Sequence, residues 1–257
     1  MIQTDALVTA VKQNGPFTKI VFAAPTIAAG LASGRFVLAD IDGYLRTRLF
    51  PARIDTKSFE ILVPPDHPAS ALWPESNINL IGPLGRGFEV PATASRLLLV
   101  ADTAHLPILM PLTQARKQTS SLQLRDKPDL SPNTALLLSA PTAAELYPIR
   151  LLPPALEVHL ATADGSAGHH GSALDLFPDL VRWADCVCIA GDPASFSALA
   201  KIVRTVRIRP DRHFVQALVA PPMVCGVGSC GCCGVQVARS TKLACTEGPV
   251  FDLLELQ

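Results

Sequence analysis

The sequence predicts a β-barrel followed by an α/β domain: an antiparallel six-stranded barrel, a nucleotide-binding-type parallel α/β domain, and a small C-terminal hairpin domain rich in cysteine. Three observations carry this. Up to about residue 95, short apolar runs alternate with turn residues; from Arg96 the rhythm becomes strand then helix; and five of the seven cysteines fall within Met223–Phe251. The expected boundaries are 1–94, 95–219 and 220–257, with the join near Val90–Ser95.

In the first segment the runs Ala6–Val11, Phe17–Ala23, Arg35–Ile41, Arg46–Ile54, Phe59–Val63 and Asn77–Ile81 are rich in Val, Ile, Leu and Phe. Asn14-Gly15-Pro16, Asp42-Gly43 and Pro64-Pro65-Asp66 separate them. Such turn chemistry between β-prone runs marks hairpins, and six short strands at this spacing close most simply as a small barrel. In the second segment Leu97–Ala101, Ala135–Ser139, Glu157–Thr162, Cys186–Ala190 and His213–Val219 are buried-strand candidates, and a helix is expected around Pro107–Lys117. A further helix follows Asp192, which can cap it. Pro193 suits its first turn, and Phe196, Leu199, Ala200, Val203 and Val206 form an apolar stripe. Strands alternating with helices give a parallel sheet.

Composition narrows the function classes. Apolar residues make up 49%, enough for a substantial core, and 22 basic side chains balance 22 acidic ones. A neutral chain without basic runs offers no electrostatic basis for nucleic-acid binding. No apolar stretch reaches the ~18 residues of a membrane span, and the N-terminus MIQTDALVTAVKQNG lacks a signal pattern. The expectation is a soluble, cytoplasmic protein that binds neither nucleic acid nor membrane.

The cysteines are the most specific signal. Cys225, Cys230 and Cys233 stand as C-x4-C-x2-C, and Cys245 follows after a hairpin-sized gap. This is the plant-type spacing for a [2Fe–2S] cluster, held by four thiolates. Gly226, Gly228, Gly231 and Gly234 sit among them, where positive φ angles would turn backbone N–H groups toward sulfur. A structural zinc ion also takes four cysteines, usually as two C-x2-4-C pairs, and disulfides would need an oxidising compartment. Cys232 is surplus and is read as a neighbour of the ligands. Cys188 is read as a core cysteine and His169-His170 as part of a solvated loop.

The order of segments resembles the ferredoxin–NADP reductase superfamily, and within it the electron-transfer subunits of two-component bacterial dihydroorotate dehydrogenases. The residues that carry the resemblance are Gly82–Phe88, similar to GPLGxGF; Asp164–Gly171, similar to DGSxGxxG; and the tail, similar to MxCGxGxCxxC with C-x-[DE]-G-P-V-F. The resemblance implies FAD on the barrel, a [2Fe–2S] cluster in the tail, NAD as outside acceptor, and an FMN-containing dihydroorotate dehydrogenase subunit as catalytic partner in a hetero-oligomer. It assigns Arg48, Leu49, Phe50 and Pro51 to the place of the family's Arg-x-aromatic-Ser flavin motif. Ala69 and Ser70 fall at its phosphate-binding turn.

The sequence departs from the family at four points. Pro51 replaces the serine of the flavin motif. Pro65–Ser70 has no glycine where GxGT is expected. Ala101–Pro107 supplies side chains, including Asp102, where a GGGxG turn would let a dinucleotide approach the backbone. The cysteine of the family's CGP motif is Ala190 here. NAD binding is therefore expected to be weak or lost. Two other functions are compatible with these residues. One is a reductase subunit of another oxidoreductase or a hydrogenase; the other is an adaptor that keeps the cluster and binds no nucleotide.

Overall fold

The computed structural model describes residues 1–122 and 133–256. The chain packs into two compact units. One comprises Met1–Phe88 with Val219–Val250, the other Glu89–Leu218 with Phe251–Gln257.

The first unit is built on β1 (Ile2–Asn14), β2 (Phe17–Ala23), a short helix α1 (Pro25–Ala28), β3 (Phe36–Ala39), β4 (Thr47–Leu49), β5 (Arg53–Ile54), β6 (Ser58–Val63) and β7 (Asn77–Leu84). The strands pair antiparallel in the order β4-β3-β7-β1-β2-β6-β5. The edges β4 and β5 are two halves of one bent segment, the predicted strand Arg46–Ile54. Proline has no N–H for a ladder, so pairing lapses at Pro51 and resumes where the Ala52 N–H donates to the Glu60 carbonyl at 2.7 Å. The six predicted strands thus become seven pieces. Alternate residues of β1, β2 and β6 point inward, as period-two patterning requires. They fill a core containing Val8, Ile20, Phe22, Phe59 and Ile61, with the Phe22 and Phe59 rings stacked 5.2 Å apart.

The second unit contains β8 (Arg96–Asp102), α2 (Leu106–Leu122), β9 (Asn133–Ala140), β10 (Glu157–Thr162), β11 (His169–His170), α3 (Ala173–Trp183), β12 (Cys186–Ala190), α4 (Phe196–Val206) and β13 (Val215–Leu218). β8 to β13 pair in parallel in the order β11-β10-β9-β8-β12-β13. The chain therefore lays strands outward from β8 in one direction, then returns and continues from β12 in the other. Every residue of β12 is buried, and so is the Leu97–Ala101 run of β8, as expected of strands covered on both faces. Cys186 and Cys188 lie in this core. The Asp192 side chain caps the turn leading into α4, accepting from the Ala194 N–H at 3.0 Å. Helix α3 has no counterpart in the sequence reading, although its signal was present. Ser172 and Asp175 form a capping box: the Ser172 hydroxyl accepts from the Leu174 N–H at 3.1 Å, and the Ser172 N–H donates to Asp175 at 2.8 Å.

The C-terminal segment forms the hairpin β14 (Gly234–Val237) and β15 (Ser240–Leu243), antiparallel from Gly234↔Leu243 to Val237↔Ser240. It ends in β16 (Val250–Asp252), the last strand of the second sheet beside β13. Residues 219–250 belong to the barrel unit because two sequence motifs meet there. The Arg86 N–H donates to the Gly248 carbonyl, and Arg86 bridges in parallel to Pro249. At Gly85 the φ is +70° and an added Cβ would lie 2.6 Å from the Gly248 oxygen and 2.8 Å from Pro249 Cδ. Only glycine fits that approach.

This seam gives a direct test. In urea unfolding, Gly43→Ala bears only the backbone cost of a positive φ, about 1–2 kcal/mol, because nothing lies near its added methyl. Gly85→Ala adds overpacking against Gly248 and should lose about 3 kcal/mol or more. Equal losses in the two variants would show that the seam tolerates a side chain.

Candidate functional site

The cysteine loop lies on the barrel. Gly226, Gly228 and Gly231 all have positive φ, as expected of a chain that turns its amides inward. An added Cβ on Gly226 would come 2.9 Å from both Leu38 Cδ1 and Leu84 Cδ1, so the loop backbone rests directly on β3 and β7. Cys233 and Cys245 are buried, Cys225 is half-buried, and Cys230 and Cys232 are exposed. The hairpin does what its length suggests: the Ala244 N–H donates to the Cys233 carbonyl at 2.9 Å, which returns Cys245 to the side of Cys233.

Among the described residues no three Cys, His, Asp or Glu side chains converge on a point as a single ion requires. Cys225 instead lies within reach of Cys230, which Cys232 also reaches, and Cys245 lies within reach of Cys233. Cys225 and Cys245 differ in environment. The Ser229 hydroxyl, followed by the amides of Cys230 and Val227, stabilises the Cys225 thiolate and lowers its pKa from 9.0 to about 5. Burial, followed by Cys233, pushes Cys245 up to about 11. Hydrogen bonding to Cys230 and the charge of that neighbour also raise Cys232. Metal ligation deprotonates such thiols outright, and amides already aimed at sulfur suit an iron–sulfur core. Four neighbouring thiols with N–H donors at Cys225 therefore fit a [2Fe–2S] cluster. The cysteines are legible in the sequence. The Ser229 contribution is not, because only the folded loop brings its hydroxyl to Cys225.

The six residues assigned to the flavin lie on two stretches of the same unit. Leu49 and Pro51 are buried in the barrel wall, and Arg48 and Phe50 are half-buried. The Arg48 guanidinium lies 5.4 Å from the Phe50 ring centroid, and Phe50 packs against Phe36 at 5.8 Å. Arg48 Nη1 donates to the carbonyls of Ala220 (3.0 Å) and Pro221 (2.6 Å), while its Nε is buried without an acceptor. A buried N–H left unpaired costs about 1–3 kcal/mol, which makes Nε a waiting donor. The residue is thus no surface arginine, and burial lowers its pKa below the ordinary value.

Ala69 and Ser70 sit in a 3-10 turn, Pro68–Ala71, whose donors are already engaged. The Ala69 N–H donates to His67 Nδ1 at 3.1 Å, the Ser70 hydroxyl donates to the Pro65 carbonyl at 2.7 Å, and the Ser70 N–H donates to the His67 carbonyl. His67 was not singled out from the sequence, since a histidine beside two prolines has no motif. Its role as a cap emerges only from the turn.

In the second unit the strand order reverses between β8 and β12, where ligands of open α/β sheets bind. Asp102 ends β8 at this point, 3.6 Å from where Gly191 would carry a Cβ. Its carboxylate takes the His105 N–H at 2.9 Å and faces His105 Nδ1 at 2.8 and 2.9 Å. Burial raises the Asp102 pKa, but the His105 ring and the amides of His105 and Ala104 outweigh this and hold it below the ordinary value. The amides that a glycine-rich turn would offer to a phosphate thus serve the protein's own carboxylate. The Asp164–Gly171 loop is likewise self-contained. Asp164 accepts from both the Ser166 N–H (3.0 Å) and hydroxyl (2.6 Å), and Ser166 accepts from the Ala143 N–H at 2.7 Å. His169 and His170 have separate surroundings: His169 Nε2 faces Asp175 at 3.5 Å, and His170 covers Gly165.

The cap at Ala69 has a pH consequence. His67 Nδ1 can accept an N–H only while unprotonated. Burial, reinforced by the Arg48 charge and opposed by Asp66, lowers its pKa below the ordinary 6.5. The unfolded chain therefore binds the proton more readily, and the stability contributed by neutral His67 is full above pH 6.5 and lost as pH falls from 6.5 through the folded value. Urea unfolding at pH 7.5 and 5.5 should show wild type weakened at the lower pH. His67→Asn, which keeps an acceptor but does not titrate, should show a smaller loss. An identical loss in both would remove His67 from the account.

Comparison with known proteins agrees with the site. The sequence pattern of the iron–sulfur cluster binding domain of dihydroorotate dehydrogenase B matches residues 221–257. The dihydroorotate dehydrogenase B (NAD(+)) electron transfer subunit of Desulforamulus reducens is 28% identical over 271 residues, spanning 96% of this chain and 95% of that protein. Its Bacillus caldolyticus counterpart is 29% identical, spanning 84% and 81%. A homolog of the subunit from Thermotoga maritima is 29% identical over 175 residues, 68% of this chain and 56% of that protein. Among solved structures, an NADH-dependent reduced ferredoxin-NADP oxidoreductase superposes with a TM-score of 0.80 at 22% identity, covering 98% of this chain and 89% of that one. A ferredoxin reductase of carbazole 1,9a-dioxygenase gives 0.64 at 17% identity, covering 84% and 68%. With its barrel and its parallel sheet, the chain has the fold of these reductase structures, and its residues 221–257 match the iron–sulfur cluster binding domain of dihydroorotate dehydrogenase B.

Proposed function

We propose that this protein is the electron-transfer subunit of a two-component oxidoreductase, with FAD on the barrel and a [2Fe–2S] cluster in the loop 225–245. The catalytic partner is an FMN-containing dihydroorotate dehydrogenase subunit of pyrimidine biosynthesis, held in a cytoplasmic hetero-oligomer. The observation that carries this reading is the grouping of the four thiols beside the barrel. It is supported by the match of residues 221–257 to the dihydroorotate dehydrogenase B domain. In functional terms the chain divides as 1–94 for flavin, 95–219 as the nucleotide-type domain and 220–257 for the cluster.

A flavin accepts an electron pair and releases electrons singly, and a [2Fe–2S] cluster carries one at a time, so the two together join hydride chemistry to a one-electron relay. The work of this chain is to hold and orient them. Cys225 with Cys230, and Cys233 with Cys245, each supply two ligands, and Ser229 with the neighbouring amides stabilises charge on the Cys225 sulfur. Arg48 provides the cation for the flavin diphosphate, Leu49, Phe50 and Pro51 shape the adjoining wall, and Ala69 and Ser70 border it. Among the described residues no helix is long and apolar enough to cross a membrane. A reductase subunit of another oxidoreductase or a hydrogenase would use the same groups, and the identity of the co-purifying subunit separates these. A cluster-only adaptor would bind no flavin.

The cluster assignment predicts that serine at Cys225, Cys230, Cys233 or Cys245 bleaches the charge-transfer bands of anaerobically purified protein. Serine at Cys232 should leave them intact. Zinc without acid-labile sulfide in the wild type would end this reading.

The Asp102 carboxylate predicts the behaviour toward nicotinamide. It already occupies the amides at the head of α2, and it repels a diphosphate. NADH should therefore bind more weakly than ~1 mM, an interaction of about 4 kcal/mol, with electrons passing through a protein partner or a ferredoxin. Anaerobic stopped-flow mixing decides this, and rapid flavin bleaching at micromolar NADH would show that the turn opens for the cofactor.

A further inference from the structure

Arg48 has two working edges, and the protein uses only one of them. In a guanidinium, Nη1 lies on the side of Cδ, whereas Nε and Nη2 present two parallel N–H groups on the opposite side, the edge that fits a carboxylate or phosphate in bidentate fashion. Here Nη1 is spent on the backbone carbonyls of Ala220 and Pro221, at 3.0 and 2.6 Å. Those residues begin the segment that carries the cluster cysteines. The other edge is vacant: Nε is buried with no acceptor, and Nη2 has no hydrogen bond among the described residues.

The charge is also unanswered. Among the described residues no carboxylate forms an ion pair with Arg48. Its neighbours include two carbonyl dipoles, the face of Phe50 and the His67 ring, none of them an anion. A guanidinium stays protonated in a protein, so this half-buried cation with a free fork calls for an anion with two adjacent oxygens. Arg48 is fixed in β4 opposite Leu38 of β3, and Leu38 is the side chain on which Gly226 of the cysteine loop rests. One short strand pair therefore carries both the fork and the seat of the loop.

We infer that Arg48 is a two-sided latch: its Nε/Nη2 edge takes the flavin diphosphate while Nη1 clamps the start of the cluster segment, so that flavin binding and docking of that segment strengthen one another. The inference rests on the flavin reading above and adds a coupling to it. Arg48 acts on the cluster as a positioning residue, through the backbone of Ala220 and Pro221. Coupling of this kind is reciprocal. An anion on the fork orients the guanidinium and firms its grip on the two carbonyls, and a docked segment holds the fork ready for the anion. ADP, which carries the diphosphate without the isoalloxazine, should act in the same direction.

The test uses the full chain with its cluster reconstituted anaerobically. FAD affinity is read from quenching of flavin fluorescence, and segment docking from hydrogen–deuterium exchange of the amides from Met223 to Cys225, with no nucleotide, FAD or ADP. Wild type should bind FAD, and exchange of these amides should slow severalfold with FAD and with ADP. Arg48→Ala should weaken FAD binding at least tenfold and abolish the slowing. Arg48→Lys, which keeps the charge and loses the fork, should recover part of the affinity without the slowing. Exchange in β1 and β2 reports that each variant is folded. Tight FAD binding with no change at Met223–Cys225 would overturn the latch and leave the flavin reading intact. Equal FAD affinity in wild type and Arg48→Ala would overturn it as well. Wild type that binds no FAD would overturn both.

Discussion

The close backbone approach between Gly82–Phe88 and Glu247–Val250 is the constraint on which the barrel unit depends. It joins the end of the last barrel strand to the end of the cluster segment, through the Arg86 bridge to Pro249 and the contact of Gly85 with Gly248. The segment between, residues 219–250, is short of its own core: a two-stranded hairpin cannot stand alone in water. It gains order by borrowing the barrel surface at Leu38 and Leu84 and by accepting the Arg48 donors at its start. Fixed at both ends and in the middle, the loop can hold reactive thiols without a core beneath them.

The asymmetry of those thiols follows from this anchoring. Cys233 and Cys245 are buried, and burial pushes the Cys245 thiol up, whereas Cys225 is surrounded by donors and ionises easily. The amides of Val227 and Cys230 favour the Cys225 thiolate, the form in which the residue would hold a metal.

The nucleotide-type turns show another economy. At two places the amides that a glycine-rich loop would present to phosphate are taken by a nearby side chain, His67 at Ala69 and Asp102 at His105, and Asp164 caps Ser166 in the same way. Such capping makes a short turn stable without a ligand. It also changes what the turn can bind, since an anion must displace the cap. In the barrel unit Arg48 retains a free fork, so an anion still has a partner there. At Asp102 the cap is itself anionic and offers none.

The sequence by itself determined the strands, because period-two patterning and turn residues act over a few positions; Glu157–Thr162 and Cys186–Ala190 are read to the residue. The cysteine spacing was legible too, since spacing along a loop is a local property. The capping box at Ser172 and Asp175 was equally local, and its helix was within reach of the same rules. Tertiary structure alone decided that residues 219–250 pack with the barrel, since that rests on Gly85 meeting Gly248 across more than half the chain. It alone decided that Arg48 reaches Ala220 and Pro221, 172 and 173 residues away. No pattern in sequence encodes such a contact: a guanidinium finds whichever carbonyls the fold brings beside it, and burial then makes that choice costly to undo.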